Sequence, residues 1–216
     1  MRTALACGSL FFTLAARMKV IGLTGGIGMG KSTSASLMRE RGVPVVDTDD
    51  LARELVEPGQ PALEEIRAVF GEKVIGPDGR LRRDELARVA FADPEARKRV
   101  EAILHPPIRE RWRAQVDAWR KEGKPLAVVV IPLLYETKAE SDFDAVICAA
   151  CTAPTQRERL AARGWSGQEI DRRNAAQIPV PDKIARANYV IWTEGDLEAH
   201  AAQLDRILAG LSGQSR

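Results

Sequence analysis

A glycine-rich segment at residues 25–32, with the sequence GGIGMGKS, constrains the fold of this chain more than any other feature. The segment satisfies the pattern G-x-x-x-x-G-K-[ST]. An apolar run at residues 19–24 precedes it and is typical of a buried parallel strand. Residues 31–41 follow with the pattern of a helix, and Gly42 suits the position just after a helix ends. This order of strand, loop and helix predicts an α/β fold with the loop at the carboxyl end of a parallel strand.

Each residue type in this phosphate loop (P-loop) suits the binding of a nucleotide. Glycines allow successive backbone N–H groups to point toward phosphate oxygens, and the start of the following helix adds its dipole. We therefore predict that ATP binds here, with Lys31 on the β- and γ-phosphates, Ser32 on Mg²⁺ and Thr33 on the α-phosphate. The alternative is a glycine turn with an exposed lysine. The predicted nucleotide-binding residues are Gly26, Gly28, Met29, Gly30, Lys31, Ser32, Thr33 and Arg159.

Strand-like and helix-like runs alternate along most of the remaining sequence. Further strands are predicted at residues 43–47, 126–131, 145–149 and 189–192, and further helices at 154–163 and 197–211. This alternation predicts a mostly parallel sheet with helices on both faces. Ligands of such sheets bind at the carboxyl ends of the strands.

Two stretches depart from the alternation. Residues 61–120 are predominantly helical, which predicts an inserted helical subdomain. Residues 164–187 are rich in Arg, Asn and Gln and have few large apolar residues, which favours a mobile lid. The predicted P-loop core is therefore discontinuous in the sequence and comprises residues 18–60, 121–163 and 188–216.

The rest of the sequence distinguishes between classes of P-loop protein. The guanine-binding pattern N-K-x-D is absent, because neither Asn174 nor Asn188 is followed by lysine. The predicted third strand continues into Pro132 rather than into the metal-binding acid of a Walker B strand. Both observations argue against a switch GTPase and a motor ATPase, and they favour a small-molecule kinase.

The predicted second strand ends in a cluster of acidic residues, Asp47, Asp49 and Asp50. A carboxylate beside the P-loop can accept the proton of an acceptor hydroxyl, as phosphoryl transfer requires. It can also hold Mg²⁺ through water, or cap the helix that begins here.

Arginines cluster after the predicted fourth strand. Arg159 and Arg163 share one face of the predicted helix, whereas Arg157 does not. Arg172 and Arg173 follow in the predicted lid. Phosphoryl transfer requires cations near the γ-phosphate, and a guanidinium can stack on adenine. We assign Arg163 as the candidate catalytic cation; a solvated helix face is the alternative.

Taken together, these motifs resemble the dephospho-coenzyme A kinase family. The matching stretches are LTGGIGMGKST at 23–33, VDTDDLAR at 46–53, VEPG at 56–59, LHP at 104–106, VIPLLYE at 130–136, QRERLAAR at 156–163 and RNAAQ at 173–177. The resemblance covers residues 18–211 in order. It implies a three-layer α/β P-loop kinase core with a five-stranded parallel sheet, a helical coenzyme A-binding insertion and a lid. It also implies Mg²⁺- and ATP-dependent phosphorylation of the 3′-hydroxyl of dephospho-coenzyme A.

The resemblance further implies roles for individual residues. Asp49 matches the general base, and Arg53 matches an acceptor contact. With Lys31 and Arg163, assigned above from the residues themselves, Asp49 completes the predicted catalytic set. The segments that line the acceptor site contain Thr24, His105, Pro132, Leu133 and Glu136. From the residues alone, His105 before two prolines is typical of a helix boundary, Leu133 of a core position and Glu136 of a surface acid.

Besides a small change at Thr48, where the family has alanine, two departures from the family pattern concern the lid and the end of the last strand. Asn174 stands at a lid position that is usually apolar, and Thr193 replaces an asparagine that follows the last strand. These departures bear on lid packing and on adenine recognition rather than on phosphate binding.

The amino-acid composition limits which binding partners and which cellular compartment suit the chain. Lys and Arg total 32 and Asp and Glu total 30, so the net charge of +2 argues against nucleic-acid binding. The three cysteines, Cys7, Cys148 and Cys151, are an odd number, which argues against a disulfide framework. Cys148 lies on a predicted buried strand, as is typical of a small buried side chain. We expect ATP and dephospho-coenzyme A as partners, no nucleic acid, no membrane, and a monomer or weak oligomer in the cytoplasm.

The amino terminus weakly resembles a signal peptide, since Arg2 precedes an apolar run that ends in Ala15-Ala16-Arg17. The run is too short to span a bilayer. The alternative, which we favour, is an upstream start codon, with residues 1–17 outside the fold and the functional chain beginning at Met18.

Overall fold

The computed structural model describes residues 17–211, so the predictions made for the apolar amino-terminal run and for Cys7 lie outside the described residues. The strands are β1 (Lys19–Gly25), β2 (Val45–Asp47), β3 (Leu126–Val130), β4 (Ala145–Ala150) and β5 (Tyr189–Trp192). The helices are α1 (Lys31–Glu40), α2 (Thr48–Glu54), α3 (Pro61–Phe70), α4 (Arg83–Ala92), α5 (Pro94–Lys121), α6 (Ala153–Ala161), α7 (Gly167–Ala175), α8 (Val180–Arg186) and α9 (Leu197–Leu211).

The predicted strands are confirmed, and they form one parallel sheet in the order β2-β3-β1-β4-β5. Strand β2 begins two residues later than predicted, after Pro44, which has no N–H to donate to the ladder. Every residue of β3 and β4 is buried, which matches a parallel sheet covered on both faces. Cys148 lies in β4 and is buried, as predicted from the apolar run.

Helices cover both faces of the sheet and complete the predicted three-layer α/β arrangement. On one face, Leu37 and Met38 of α1 and Leu204 of α9 pack with the buried residues of the strands. On the other face, Trp112 and Val116 of α5 pack against the sheet. Helix α8 contacts β1 and β4, whereas α7 contacts α6.

The helical insertion has a hydrophobic core of its own. Leu63 and Ile66 of α3, Leu86 of α4 and Ala96 of α5 belong to this core. Helix α5 starts in the insertion and ends against the sheet, so it joins the two cores. The alternative of a helix boundary at His105 is wrong, because α5 continues through Pro106 and Pro107. The packing of α5 at both ends accounts for a helix that tolerates two missing backbone donors.

Within residues 17–211, no helix combines the length and apolarity needed to cross a membrane.

Candidate active site

The P-loop connects β1 to α1 in a conformation that requires glycine. Gly30 has a φ of 86°, and a Cβ there would lie 2.9 Å from Thr193 Cγ2. Gly25 has a φ of 143°, and its Cβ would lie 2.2 Å from the carbonyl oxygen of Ala149. The positive φ angles, with the Ala149 backbone close to Gly25 and the Thr193 side chain close to Gly30, therefore require glycine at both positions independently of any ligand.

The amino terminus of α1 is suited to an anion. Gly30 is the N-cap residue; among the described residues no side chain caps this end, and the first turn carries no acid. The side chains of Ser32 and Thr33 are exposed in the first turn. The N–H groups and the helix dipole thus face the loop without a competing carboxylate.

The Lys31 ammonium folds back over the loop. Its Nζ donates to the carbonyl oxygens of Gly25 at 3.0 Å and Gly26 at 2.9 Å. Desolvation by the surrounding protein lowers the pKa of Lys31 to about 8, although the nearby Asp49 and Asp47 carboxylates oppose the shift. An added phosphate would favour the charged form of this lysine.

The residues that join β2 to α2 have separate roles. Asp47 caps α2, because its Oδ1 accepts from the N–H of Asp49 at 2.9 Å. Thr48 Oγ1 donates to the carbonyl oxygen of Val130 at 2.9 Å and ties α2 to the end of β3. Asp49 is left to face the site. It keeps contact with solvent, but the protein around it raises its pKa, against the opposing effects of Lys31 and Arg53.

A cleft of about 540 Å³, here called the Asp49 cleft, opens beside this acid. It brings together five residues predicted for the acceptor site or the base, namely Asp49, His105, Pro132, Leu133 and Glu136. Burial lowers the pKa of His105 in its wall. Thr24 does not line this cleft, since its side chain is fully buried and its Oγ1 donates to the Pro132 carbonyl at 3.3 Å.

A second cleft of about 400 Å³, here called the apolar cleft, adjoins the first. Arg53 lines it and also pairs with Asp50, at 2.8 Å. The two clefts share the side chains of Ala52, Arg97, Val100, Glu101, Leu104 and Leu133. Together they form one trough between α2, the helical insertion and the segment after β3, with a volume larger than a small alcohol requires.

On the other side of the P-loop lies a third cleft of about 330 Å³, here called the loop cleft. Gly28, Gly30, Thr33, Arg159, Arg163, Thr193, Leu197 and His200 are among its lining residues. Arg163 is exposed and follows the end of α6, whereas Met29 is buried beneath the loop.

The departure at Thr193 is accommodated by two hydrogen bonds. Thr193 Oγ1 donates to the carbonyl oxygen of Met29 at 3.2 Å and accepts from Arg159 at 2.8 Å. Arg159 also donates to the Thr193 carbonyl. Thr193 therefore ties the segment after β5 to the P-loop, and Arg159 holds Thr193, whereas Arg163 lines the same cleft with an exposed side chain.

The departure at Asn174 is also matched by a partner. The Asn174 and Gln156 side-chain amides exchange hydrogen bonds of 3.0 and 3.1 Å. Gln156 Nε2 donates as well to the carbonyl oxygen of Ile27 in the P-loop, at 2.8 Å. A polar residue is therefore satisfied at this position of α7, and the pair links α7 to the loop.

Sequence reasoning did not single out Gln156, Lys183, Leu197 or His200 as site residues. Leu197 is 58% exposed and lines the loop cleft. Its position just after β5 was an available signal. Lys183 carried no signal, because a lysine in a polar stretch is typical of a solvent-exposed residue.

A strand–P-loop–helix unit with an acid just after the next strand and a trough beside that acid defines a P-loop kinase. The dephospho-CoA kinase family matches residues 19–199. A dephospho-CoA kinase of Anaeromyxobacter dehalogenans (strain 2CP-C) is 52% identical over 197 residues, which cover 91% of this chain and 93% of that protein. The chain belongs to the dephospho-CoA kinase family, and the resemblance stated from its motifs is confirmed.

Solved structures support the fold. The crystal structure of TT1252 from Thermus thermophilus has a TM-score of 0.77 and 38% identity, and the match covers 90% of this chain and 98% of that one. A dephospho-CoA kinase from Campylobacter jejuni has a TM-score of 0.67 at 23% identity, with coverage of 90% and 98%, and shares the fold.

Proposed function

We propose that this protein transfers the γ-phosphoryl group of ATP to the 3′-hydroxyl of dephospho-coenzyme A, giving coenzyme A and ADP, the final step of coenzyme A biosynthesis. The observation that carries the proposal is the position of Asp49, which lines the acceptor trough and interacts electrostatically with Lys31 of the P-loop. Donor phosphate and acceptor hydroxyl can therefore meet between these two residues.

The donor side binds ATP through backbone groups. Residues of the loop and the first turn of α1 surround the phosphates, and Lys31 leaves the loop carbonyls to contact the β- and γ-phosphates. Arg163 neutralises charge that develops on the transferred group. The exposed Leu197 offers an apolar surface to the adenine ring at the loop cleft.

The acceptor side binds dephospho-coenzyme A along the trough. The adenosine end occupies the Asp49 cleft, since its 3′-hydroxyl must reach the Asp49 carboxylate. The remaining arm extends into the apolar cleft, where Arg53 and Arg97 border apolar side chains. This division uses both clefts and explains a trough larger than a small alcohol requires.

Asp49 acts as the general base. Its carboxylate accepts the proton of the 3′-hydroxyl as that oxygen forms a bond to the γ-phosphorus and the bond to the β,γ-bridging oxygen breaks. ADP leaves with the electron pair of that bond. The raised pKa of Asp49 strengthens its carboxylate as a base.

The residues present fit Mg²⁺. Ser32 exposes a hydroxyl in the first turn of α1, and the Asp47 and Asp49 carboxylates act electrostatically on the neighbouring Lys31. Among residues 17–211, no group of three or more His, Cys, Asp or Glu side chains forms an all-protein metal site. This donor set suits an ion held largely by phosphates and water, with Ser32 as its protein ligand. When bound, Mg²⁺ supplies charge neutralisation at the β- and γ-phosphate oxygens.

We further propose that the protein works in the cytoplasm, where ATP is abundant, as a monomer or weak oligomer without a nucleic-acid partner. The near balance of charges supports the last point.

The test is a turnover assay of the full chain with ATP, Mg²⁺ and dephospho-coenzyme A. Phosphorus NMR of the product locates the new phosphate, and ADP is measured in parallel. We expect one ADP for each 3′-phosphate formed. No turnover of dephospho-coenzyme A, alongside good turnover of shikimate, gluconate or a nucleoside monophosphate, would refute the proposal.

A further inference from the structure

The Lys183 ammonium of helix α8 is fully buried, with 0% of the side chain exposed. Its Nζ lies 2.8 Å from Glu136 Oε1 and donates to the carbonyl oxygen of Pro132 at 2.9 Å. Burial of an ammonium opposes folding, and an apolar residue of similar volume often serves stability as well or better. Stability therefore does not by itself explain this lysine.

The contacts of Lys183 join three parts of the acceptor wall. The Pro132 carbonyl accepts from Lys183 and from Thr24 Oγ1 at the end of β1. Glu136 Oε1 accepts from Lys183 and from the N–H of Ile178, at 2.9 Å. One carboxylate oxygen of Glu136 is thus held by two donors, and the segment after β3 is held at both of its ends.

The other oxygen of the same carboxylate has no such partner. Glu136 Oε2 is buried and makes no hydrogen bond within the described part of the chain. Glu136 lines the Asp49 cleft, next to the place where the acceptor's nucleoside must lie. A buried carboxylate oxygen without a donor is costly, and a ligand group that donates to it removes that cost.

We propose that Lys183 is a positioning residue for the acceptor. It fixes the Glu136 carboxylate so that Oε2 accepts a hydrogen bond from a donor on the acceptor nucleoside, either the ribose 2′-hydroxyl or the adenine amino group. This assignment rests on the proposed function. It makes the pair of Lys183 and Glu136 a determinant of acceptor affinity, distinct from the base Asp49 and from the P-loop.

The experiment compares Lys183→Met with the wild type and with Lys98→Met, a matched control at an exposed lysine of α5. Steady-state kinetics give kcat and KM for each substrate, and calorimetry gives both dissociation constants. For Lys183→Met we expect the dissociation constant of dephospho-coenzyme A to rise by about tenfold or more, as for a lost hydrogen bond to a charged group. The dissociation constant of ATP and kcat should stay within about threefold, and Lys98→Met should match the wild type.

A double variant, Lys183→Met with Glu136→Leu, guards against misfolding, because it replaces the buried pair with apolar residues. It should fold and still bind dephospho-coenzyme A weakly. Two acceptor analogues, one without the 2′-hydroxyl and one without the adenine amino group, identify the hydrogen-bond donor. The analogue that lacks the true donor should bind the wild type and Lys183→Met with equal affinity.

Wild-type affinity for dephospho-coenzyme A in the folded double variant, or equal losses of ATP and acceptor affinity, would overturn the inference. If Lys183→Met weakens the binding of both analogues as much as it weakens the binding of dephospho-coenzyme A, the inference is also overturned. Failure of the wild-type protein to phosphorylate dephospho-coenzyme A would refute the proposed function itself and is seen before any variant is measured.

Discussion

The donor and acceptor halves of the site are built in different ways. The P-loop is contiguous, and backbone geometry fixes it, as the positive φ of Gly25 and Gly30 shows. The acceptor trough takes its side chains from α2, α4, α5, the segment after β3 and the α7 region, which are far apart in the sequence. Backbone recognition of phosphate serves many enzymes, whereas a trough of side chains can be specific for one acceptor. Under the proposed function, the donor half therefore defines the class of enzyme, and the acceptor half defines the substrate.

Removal of the Lys31 ammonium should cause the largest loss of activity, because it disables phosphate binding in the donor half of the site. Lys31→Ala loses the cation that contacts the transferred phosphate, so we expect kcat/KM for ATP to fall by roughly a thousandfold. Calorimetry should show weakened ATP binding but an acceptor affinity within about twofold of the wild type. Wild-type activity in this variant would contradict the P-loop assignment.

Asp49→Asn should separate chemistry from binding. The amide keeps the size of the side chain but cannot take the proton, so turnover should fall by about a hundredfold or more. ATP affinity should be nearly unchanged. The matched control is Asp50→Asn at the exposed neighbouring acid, which should retain most activity. Unchanged turnover in Asp49→Asn would show that Asp49 is not the base.

The pH dependence of ATP binding tests the same comparison in the wild type. Lys31 is cationic below its pKa of about 8 and becomes neutral above it. ATP binding to the neutral form requires uptake of a proton, so ATP affinity should fall as pH rises through 8, approaching about tenfold per pH unit. Calorimetry in buffers of different ionisation enthalpy measures both the affinity and the proton uptake. A constant ATP affinity between pH 7 and about 9.5 would contradict the assigned pKa.

The smallest expected effect concerns the link between the P-loop and α7. Asn174→Leu leaves Gln156 Oε1 without its donor, so we expect a loss of about 1–2 kcal/mol in the free energy of unfolding. Chemical denaturation measures it, with Gln168→Leu at an exposed position of the same helix as the control. Turnover should change far less than in Asp49→Asn. An unchanged stability would show that the amide pair contributes nothing to the linkage.

The sequence predicts the parts of this molecule that depend on local rules. Apolar periodicity locates all five strands, and the P-loop pattern locates the turn between β1 and α1. Tertiary contacts decide the rest. Helix α5 continues through Pro106 because two hydrophobic cores hold its ends, and Leu197 is exposed because α9 begins beside a cleft.

The residues of the candidate site also differ in whether local motifs or tertiary contacts determine them. Family motifs predict Asp49, His105 and Glu136, which the fold brings to one cleft. The motif at 156–163 includes Gln156 but gives it no role, and no local pattern identifies Lys183. Their roles arise from partners that lie 47 and 129 positions away, Glu136 and the carbonyl of Ile27, and folding alone brings these together.

If the trough beyond the P-loop specifies the acceptor, a truncated acceptor should be a much poorer substrate. Adenosine carries the same 3′-hydroxyl as dephospho-coenzyme A but lacks the arm assigned to the apolar cleft. The measurement is kcat/KM for the two acceptors at saturating ATP. We predict that dephospho-coenzyme A is preferred by about a hundredfold or more, because binding energy from the arm is used to orient the hydroxyl. Equal kcat/KM values for the two acceptors would contradict the account.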